Sequence, residues 1–188
     1  MPVSSALSTP LTFPCGKTMK NRFMLAPMTN KQSQEDGTLS DDEYRWLTMR
    51  AKGQFGLVMT CASNVQLNGK CWPGQLGIYH DKHLVRLGGF SDQPLLAYFA
   101  DLDRRSVRLT AAGKIHGARE AYQTLEAGMD FVTIGKSAIL HHDFPAQVLR
   151  NPDFRPLSTP VSKAHLEREG LGRAFIDYMA MWKGFVES

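Results

Sequence analysis

The sequence predicts an α/β domain built on parallel strands, and three observations carry that prediction. Short apolar runs at residues 23–26, 56–60 and 131–134 have the length expected of strands that helices cover on both faces. Helical patterns separate the strands in each half of the chain, which is typical of parallel crossover units. The chain has 188 residues, of which 43% are hydrophobic and 21% are charged, as expected for one globular domain with its own core.

The amino-terminal elements follow from local residue chemistry. Residues 11–13 and 18–19 flank a Gly-Lys turn, which predicts a short hairpin ahead of the first strand. Ser40 and Glu43 have the spacing of a capping box, in which the hydroxyl and the carboxylate bond free amides at a helix start. That helix is expected to end at Gly53. After the strand at 56–60, residues 81–87 begin a second helix.

The carboxy-terminal half is expected to hold a helix at 94–102, a strand at 107–111 and a strand at 131–134. A helix that stops at Gly128 lies between the two strands, because its apolar residues recur at i, i+3, i+4 and i+7: Ala118, Ala121, Tyr122 and Leu125. The final helix carries one apolar stripe of Leu171, Phe175, Tyr178, Met179 and Trp182. We find no internal repeat, and the linker candidate is residues 88–93.

Charge and targeting signals exclude several functions. The net charge of +4 comes from scattered basic residues, so a nucleic-acid surface is not expected. Residues 1–10 lack a basic start followed by an apolar stretch, and no run is long enough for a membrane span.

Cysteine and histidine give little sign of a metal site. The three cysteines, Cys15, Cys61 and Cys71, have no close ligand spacing and are expected to be reduced thiols in a cytoplasmic protein. Cys61 is either a small buried hydrophobe or a reactive thiol beside a site. Adjacent side chains diverge, so His141 and His142 are interpreted as part of a helix-entry loop, and no metal is predicted.

Five spaced motifs resemble one enzyme family. Residues 23–30 (FMLAPMTN), 55–63 (FGLVMTCAS) and 76–83 (LGIYHDKH) resemble the first two strand-helix units of the old yellow enzyme family. These are FMN-dependent NAD(P)H:flavin oxidoreductases and ene reductases. Residues 109–115 (LTAAGKI) and 130–138 (DFVTIGKSA) resemble the last two strands of the same barrel, where the family holds the flavin phosphate.

The resemblance implies an incomplete TIM (β/α) barrel that keeps the first two and last two strand-helix units and a terminal helix. Residues 1–188 would form one truncated domain, with an amino-terminal part at 1–87, a junction at 88–93 and a carboxy-terminal part at 94–188. A closed barrel typically needs about 250 residues and seldom fewer than about 200. Four strands cannot close a barrel, and their open edges would favour a homo-oligomer.

The resemblance also implies a phosphate site in two loops. Barrel enzymes commonly hold a phosphate after strands seven and eight, where glycine lets the backbone approach it. The residues implied are Ala112, Gly113 and Lys114 in one loop, and Gly135 and Lys136 in the next. The family usually has arginine where this chain has Lys136, and lysine offers a point charge instead of a two-pronged donor. The alternative is that both glycines merely end strands and both lysines are solvated.

At the other end of the flavin, the resemblance implies that the isoalloxazine ring lies against Pro27, Met28 and Thr29. A Thr29 hydroxyl near a ring carbonyl would tune the reduction potential. Ala62 matches a small residue that lets the ring lie flat. The alternative for Thr29 and Ala62 is packing at strand ends. His116 lies in the wrong strand unit to be the family's substrate-binding histidine.

The residues that grip the substrate carbonyl and donate a proton in the family come from strands three to six and have no counterpart here, so the catalytic residues are unknown. An ene reductase needs paired donors to polarise that carbonyl. The resemblance leaves two functions open. The first is an FMN-binding oxidoreductase of small molecules, with NAD(P)H as reductant, whose activity is impaired by the loss of these residues. The second is a non-catalytic remnant or interaction protein that arose from an internal deletion or mis-splicing. A third alternative is an intact enzyme whose middle this sequence lacks.

Overall fold

A computed structural model describes residues 3–80, 82–83, 108 and 110–187. In chain order its elements are α1 (Val3–Ser8), β1 (Leu11–Thr12), β2 (Thr18–Met19), β3 (Phe23–Leu25), α2 (Asp41–Lys52), β4 (Leu57–Val58), a 3-10 turn (Leu67–Gly69), β5 (Thr110–Ala112), α3 (Ala118–Glu126), β6 (Phe131–Ile134), α4 (Lys136–Leu140), α5 (Phe144–Arg150), α6 (Lys163–Arg168) and α7 (Arg173–Ala180). The predicted junction at 88–93 and helix at 94–102 lie outside the described residues. The helix predicted at 81–87 also lies outside them, apart from residues 82–83.

Four parallel strands form the central sheet in the order β4-β3-β6-β5. The first strand of this sheet in the chain, β3, lies beside the last, β6, so the two halves of the sequence meet at the middle of the sheet. Both predicted crossover units, β3-α2-β4 and β5-α3-β6, are confirmed. The fold is α/β, and the described residues form no closed barrel; the incomplete barrel stays a prediction.

The strands bury side chains on both faces of the sheet. Phe23 and Leu25 of β3 and Val132 of β6 pack into the main core, which the helices cover. Met24 and Phe131 point to the other face and pack with the β1-β2 hairpin. The hairpin was predicted correctly, and its strands are antiparallel. This two-sided burial explains why the strands are apolar throughout instead of alternating.

Helix α2 begins and ends where the sequence predicted. The Ser40 hydroxyl accepts a hydrogen bond from the amide of Glu43 at 3.0 Å, and Gly53 follows the last helical residue. The other half of the predicted capping box is wrong. The Glu43 carboxylate accepts bonds from three side chains elsewhere in the fold, because buried polar groups there need an acceptor.

The final helix was predicted too long. Helix α7 begins at Arg173 and ends at Ala180, so Leu171 and Trp182 of the predicted stripe both lie outside it. The Trp182 side chain is 58% exposed, whereas Phe175 and Met179 are buried as predicted. None of the described helices is long and apolar enough to cross a membrane.

Polar contacts tie the two halves of the chain together. Arg22 donates to the main-chain oxygen of Asp130 at 2.8 Å and to that of Thr9 at 2.9 Å. The amide of Gly172 donates to the side-chain oxygen of Gln32 at 2.7 Å. Segments far apart in the sequence therefore hold the same sheet in place.

Candidate functional site

The candidate site lies at one edge of the sheet, where all four strands end. Because the strands are parallel, the segments that follow them leave at the same edge. The predicted site residues are the ones that leave there: residues 27–29 after β3, Ala62 after β4, 112–114 at the end of β5 and 135–136 after β6. The topology therefore explains how residues more than a hundred positions apart share one edge.

A cavity of about 140 Å³ lies between the ends of β5 and β6. The structure brings all five residues of the predicted phosphate loops to its wall: Ala112, Gly113, Lys114, Gly135 and Lys136. The wall is completed by Ala26, Thr133, Ile115 and His116, which sequence reasoning did not assign to the site. Their signal was present, since each lies within two residues of a predicted one.

The backbone of the first loop has an unusual conformation. Gly113 has a φ of +109° and Lys114 a φ of +55°. Residues that carry a side chain rarely adopt such φ values, whereas glycine adopts them without cost. A Cβ added at Gly113 would meet no atom within 4 Å, so the backbone borders open space. Non-glycine residues with positive φ often occur at ligand clamps, which agrees with a binding role for this loop.

A second cavity of about 380 Å³ adjoins the first and shares Lys136 and His116 with it. Lys136 Nζ donates to the Thr159 hydroxyl at 2.9 Å, so its ammonium group is held near the boundary between the two cavities. Arg155 lines the larger cavity and forms an ion pair with Glu120 at 2.7 Å. Of Lys136 and Arg155, Lys136 is therefore the one whose side chain is bonded to a neutral partner.

The predicted ring end of the site is less enclosed. Met28 packs against the main core, Thr29 is half-buried, and Pro27 and Ala62 are exposed. Within the described residues the Thr29 hydroxyl makes no hydrogen bond, which leaves it available to a ligand. None of these four residues lines the two cavities, so the structure places them at the same edge of the sheet without joining them to the phosphate loops.

Sequence reasoning missed a buried polar cluster behind the ring end. The Glu43 carboxylate is fully buried and accepts hydrogen bonds from Asn30 Nδ2 at 3.1 Å, from the Ser33 hydroxyl and from Cys61 Sγ at 3.1 Å. Burial, and then the charge of Glu43, raise the pKa of the Cys61 thiol far above its usual range. Of the two alternatives for Cys61, the structure favours the unreactive buried thiol.

His141 and His142 point to different partners, as predicted. His142 Nδ1 pairs with the Glu169 carboxylate at 2.8 Å, whereas His141 Nε2 accepts from the amide of Leu157 at 3.0 Å. Helix α5 begins directly after them, at Phe144. No group of three or more potential metal ligands occurs in the described part of the chain.

Comparison with known proteins finds similarity to one family in the amino-terminal half. Residues 6–93 match the profile of the NADH:flavin oxidoreductase / NADH oxidase family. A probable NADH-dependent flavin oxidoreductase of Bacillus subtilis, YqiG, is 41% identical over 86 residues, covering 46% of this chain and 23% of the relative. An NADPH dehydrogenase of Halalkalibacterium halodurans is 32% identical over 129 residues, covering 66% and 32%.

Among solved structures, an old yellow enzyme homologue from Zymomonas mobilis is similar, with 26% identity and a TM-score of 0.39. The match covers 43% of this chain and 22% of that chain. The chain spans between about a quarter and a third of the length of the curated relatives described above.

Proposed function

We propose, from the match of residues 6–93 to the NADH:flavin oxidoreductase / NADH oxidase family, that this chain binds FMN at the edge of the sheet where the four strands end. FMN is the cofactor of that family, and NAD(P)H is its reductant. The phosphate would lie in the loops at residues 112–114 and 135–136. The isoalloxazine ring would lie toward Pro27, Met28, Thr29 and Ala62.

The small cavity between β5 and β6 is the observation that carries this proposal. At about 140 Å³ it is smaller than the roughly 300–1,000 Å³ usual for whole-ligand pockets. Its size suits one phosphoryl group rather than a complete cofactor. The walls offer glycine backbone at Gly113 and Gly135 and ammonium groups at Lys114 and Lys136, which suit a phosphate dianion.

This chain's own residues would bind and orient the cofactor. Lys136 would supply a positive charge to the phosphate while Thr159 holds its ammonium group in place. The Thr29 hydroxyl would donate to a carbonyl of the ring and so tune its reduction potential. Bound FMN would supply hydride chemistry, with NAD(P)H as the donor, and an activated alkene would be the small-molecule substrate class of an ene reductase.

A second candidate is a remnant that binds flavin poorly or interacts with partners without reducing a substrate. The observation that favours it is that the chain covers only 23% of one relative and 32% of another. A homo-oligomer through the edges of β4 and β5 would be one such interaction. The three free cysteines agree with the cytoplasm as the proposed location.

The deciding experiment is a titration of the purified chain with FMN, followed by quenching of flavin fluorescence. Saturable one-to-one binding supports the proposal, and an NAD(P)H oxidation assay with the bound flavin then separates the oxidoreductase from the remnant. Absence of saturable binding rejects FMN binding by this chain. Sedimentation of the same sample at several concentrations tests the homo-oligomer.

A further inference from the structure

Glu43 is a buried carboxylate whose partners lie on two different loops. Asn30 and Ser33 belong to the loop after β3, and Cys61 belongs to the segment after β4. The Glu43 side chain is 0% exposed, and in the described part of the chain its carboxylate is held by neutral donors. A buried carboxylate with three donors is costly to disrupt, because a donor that loses its acceptor there cannot turn to water.

We propose that Glu43 is a positioning residue that fixes the two loops flanking the flavin ring, an inference that rests on the proposed FMN site. Thr29 directly precedes Asn30, and Ala62 directly follows Cys61. The bonds from Asn30 and Cys61 reach the same oxygen, Oε1, at 3.1 Å each. One atom therefore sets how far apart the hydroxyl and the small residue lie at the ring.

The carboxylate suits this task better than an amide would. It accepts only, so all three donors can bond to its two oxygens, whereas glutamine keeps one accepting oxygen and places an NH₂ group beside Ser33, whose hydroxyl would then have to accept. It is also mounted on a rigid element. Helix α2 is capped by Ser40, and its residues Trp46 and Leu47 are buried in the core. Sites held by such supporting bonds keep their geometry more accurately than loops alone do.

The first test compares Glu43→Gln with the unmodified chain in complex with FMN. We expect affinity to fall about tenfold, as for the loss of one charged hydrogen bond, with a shifted visible absorption band of the bound flavin. Competition by inorganic phosphate should not change, because the phosphate loops lie elsewhere. Cys61→Ser keeps a donor and should preserve the spectrum, whereas Cys61→Ala should shift it. An unshifted spectrum in Glu43→Gln overturns the inference.

A second test needs no flavin and follows alkylation of Cys61, mapped by mass spectrometry. Cys61 is 7% exposed and should react slowly, while the exposed Cys71 serves as an internal reference. Glu43→Gln should increase the Cys61 rate about tenfold by letting the loops part, and Ser33→Ala, which keeps the Glu43 charge that raises the pKa of the Cys61 thiol, should increase it too. Leu47→Ala is the control, because it weakens the packing of the same helix but keeps the Glu43 carboxylate with its three donors, and its effect on Cys61 should be much smaller.

The two tests separate the inference from the function on which it rests. If the unmodified chain binds no FMN, the proposed function fails and the alkylation rates alone decide the role of Glu43. Equal Cys61 rates in the unmodified chain and Glu43→Gln overturn it, as does an equal increase in Leu47→Ala. Should Glu43→Gln fail to fold, Ser33→Ala removes one donor and should change the rate in the same direction.

Discussion

The guanidinium of Arg50 donates two hydrogen bonds to the main-chain oxygen of Ala138, from Nε at 3.3 Å and from Nη2 at 3.0 Å. A third bond runs from Nη1 to the main-chain oxygen of Glu169 at 2.6 Å, and the centroid of the Trp46 ring lies 3.2 Å from Cζ. Burial lowers the pKa of Arg50 well below its usual range. Helix α2 is thereby fastened to α4, which begins directly after Gly135 of the phosphate loop.

We expect Arg50→Ala to lower the free energy of unfolding by about 3 kcal/mol or more, because it leaves buried carbonyl oxygens unpaired and opens a cavity. Urea denaturation measures this change. Arg45→Ala is the matched control, since Arg45 is exposed on the same helix and should cost about 0.5 kcal/mol or less. Equal losses in the two variants would contradict the role assigned to Arg50.

A second prediction concerns the backbone of the phosphate loop. Gly113 and Gly128 have φ values of +109° and +95°, and a Cβ at either would meet no atom within 4 Å. Alanine at each should therefore cost a similar amount of stability, about 1–2 kcal/mol, from the left-handed backbone alone. Gly113→Ala alone should also weaken FMN binding, because its methyl group would stand where the phosphate approaches.

Gly128 follows helix α3, away from the cavity, so the pair separates backbone strain from ligand contact. Thermal unfolding checks the first effect, and titration with FMN at a temperature where both variants are folded checks the second. If the two variants bind FMN equally well, Gly113 does not border the phosphate.

A third prediction concerns charge at the cavity. Lys136→Ala should weaken FMN binding by about 10- to 100-fold, the usual effect of losing a charge-assisted hydrogen bond, and should leave the fold intact because the side chain is exposed. Riboflavin, which lacks the phosphate, should bind both forms equally. Lys52→Ala, an exposed change on α2, is the control. Unchanged FMN affinity in Lys136→Ala would place the phosphate elsewhere.

The sequence was informative where one local rule decides the structure. The strand at residues 131–134 and the helix from Ser40 to Gly53 agree with the structure to within a residue, because apolar runs, caps and stop signals are local. The phosphate loops could be located because glycine and lysine directly follow strands. Family resemblance added the order of the motifs, which local rules could not supply.

What the sequence did not predict depends on contacts between distant segments. Helix α4 is five residues long and is held partly by Arg50 from α2. So short a segment has little helical preference of its own, and its sequence therefore did not predict a helix. Glu43 looked like half of a capping box, but Asn30, Ser33 and Cys61 compete for its carboxylate once the chain is folded. Tertiary packing decides between such partners, and sequence spacing does not record it.

His141 connects pH to the wall of the larger cavity. Its Nε2 accepts from the amide of Leu157, which lines that cavity, so this nitrogen carries no proton. Burial lowers the pKa of His141 below its ordinary value of 6.5; Glu169 offsets part of this effect, and the nearby His165 adds to it. Protonation would convert Nε2 from an acceptor to a donor facing another donor.

The final prediction follows from that lowered pKa. As the pH falls below 6.5, the unfolded chain takes up a proton at His141 before the folded chain does. The contribution of His141 to stability is therefore complete above pH 6.5 and is lost as the pH falls through the lower pKa of the folded chain. Glu169 acts at lower pH: burial would raise its pKa, but bonds from His142 lower it below 4.5 overall, so its stabilising effect is lost only below that value.

Urea unfolding at about pH 7.5 and about pH 5.5 measures the effect of His141 apart from that of Glu169. His141→Asn keeps an oxygen that can accept from Leu157 and does not titrate, so its stability should change less between these two pH values. An equal change in both proteins would show that protonation of His141 does not control stability.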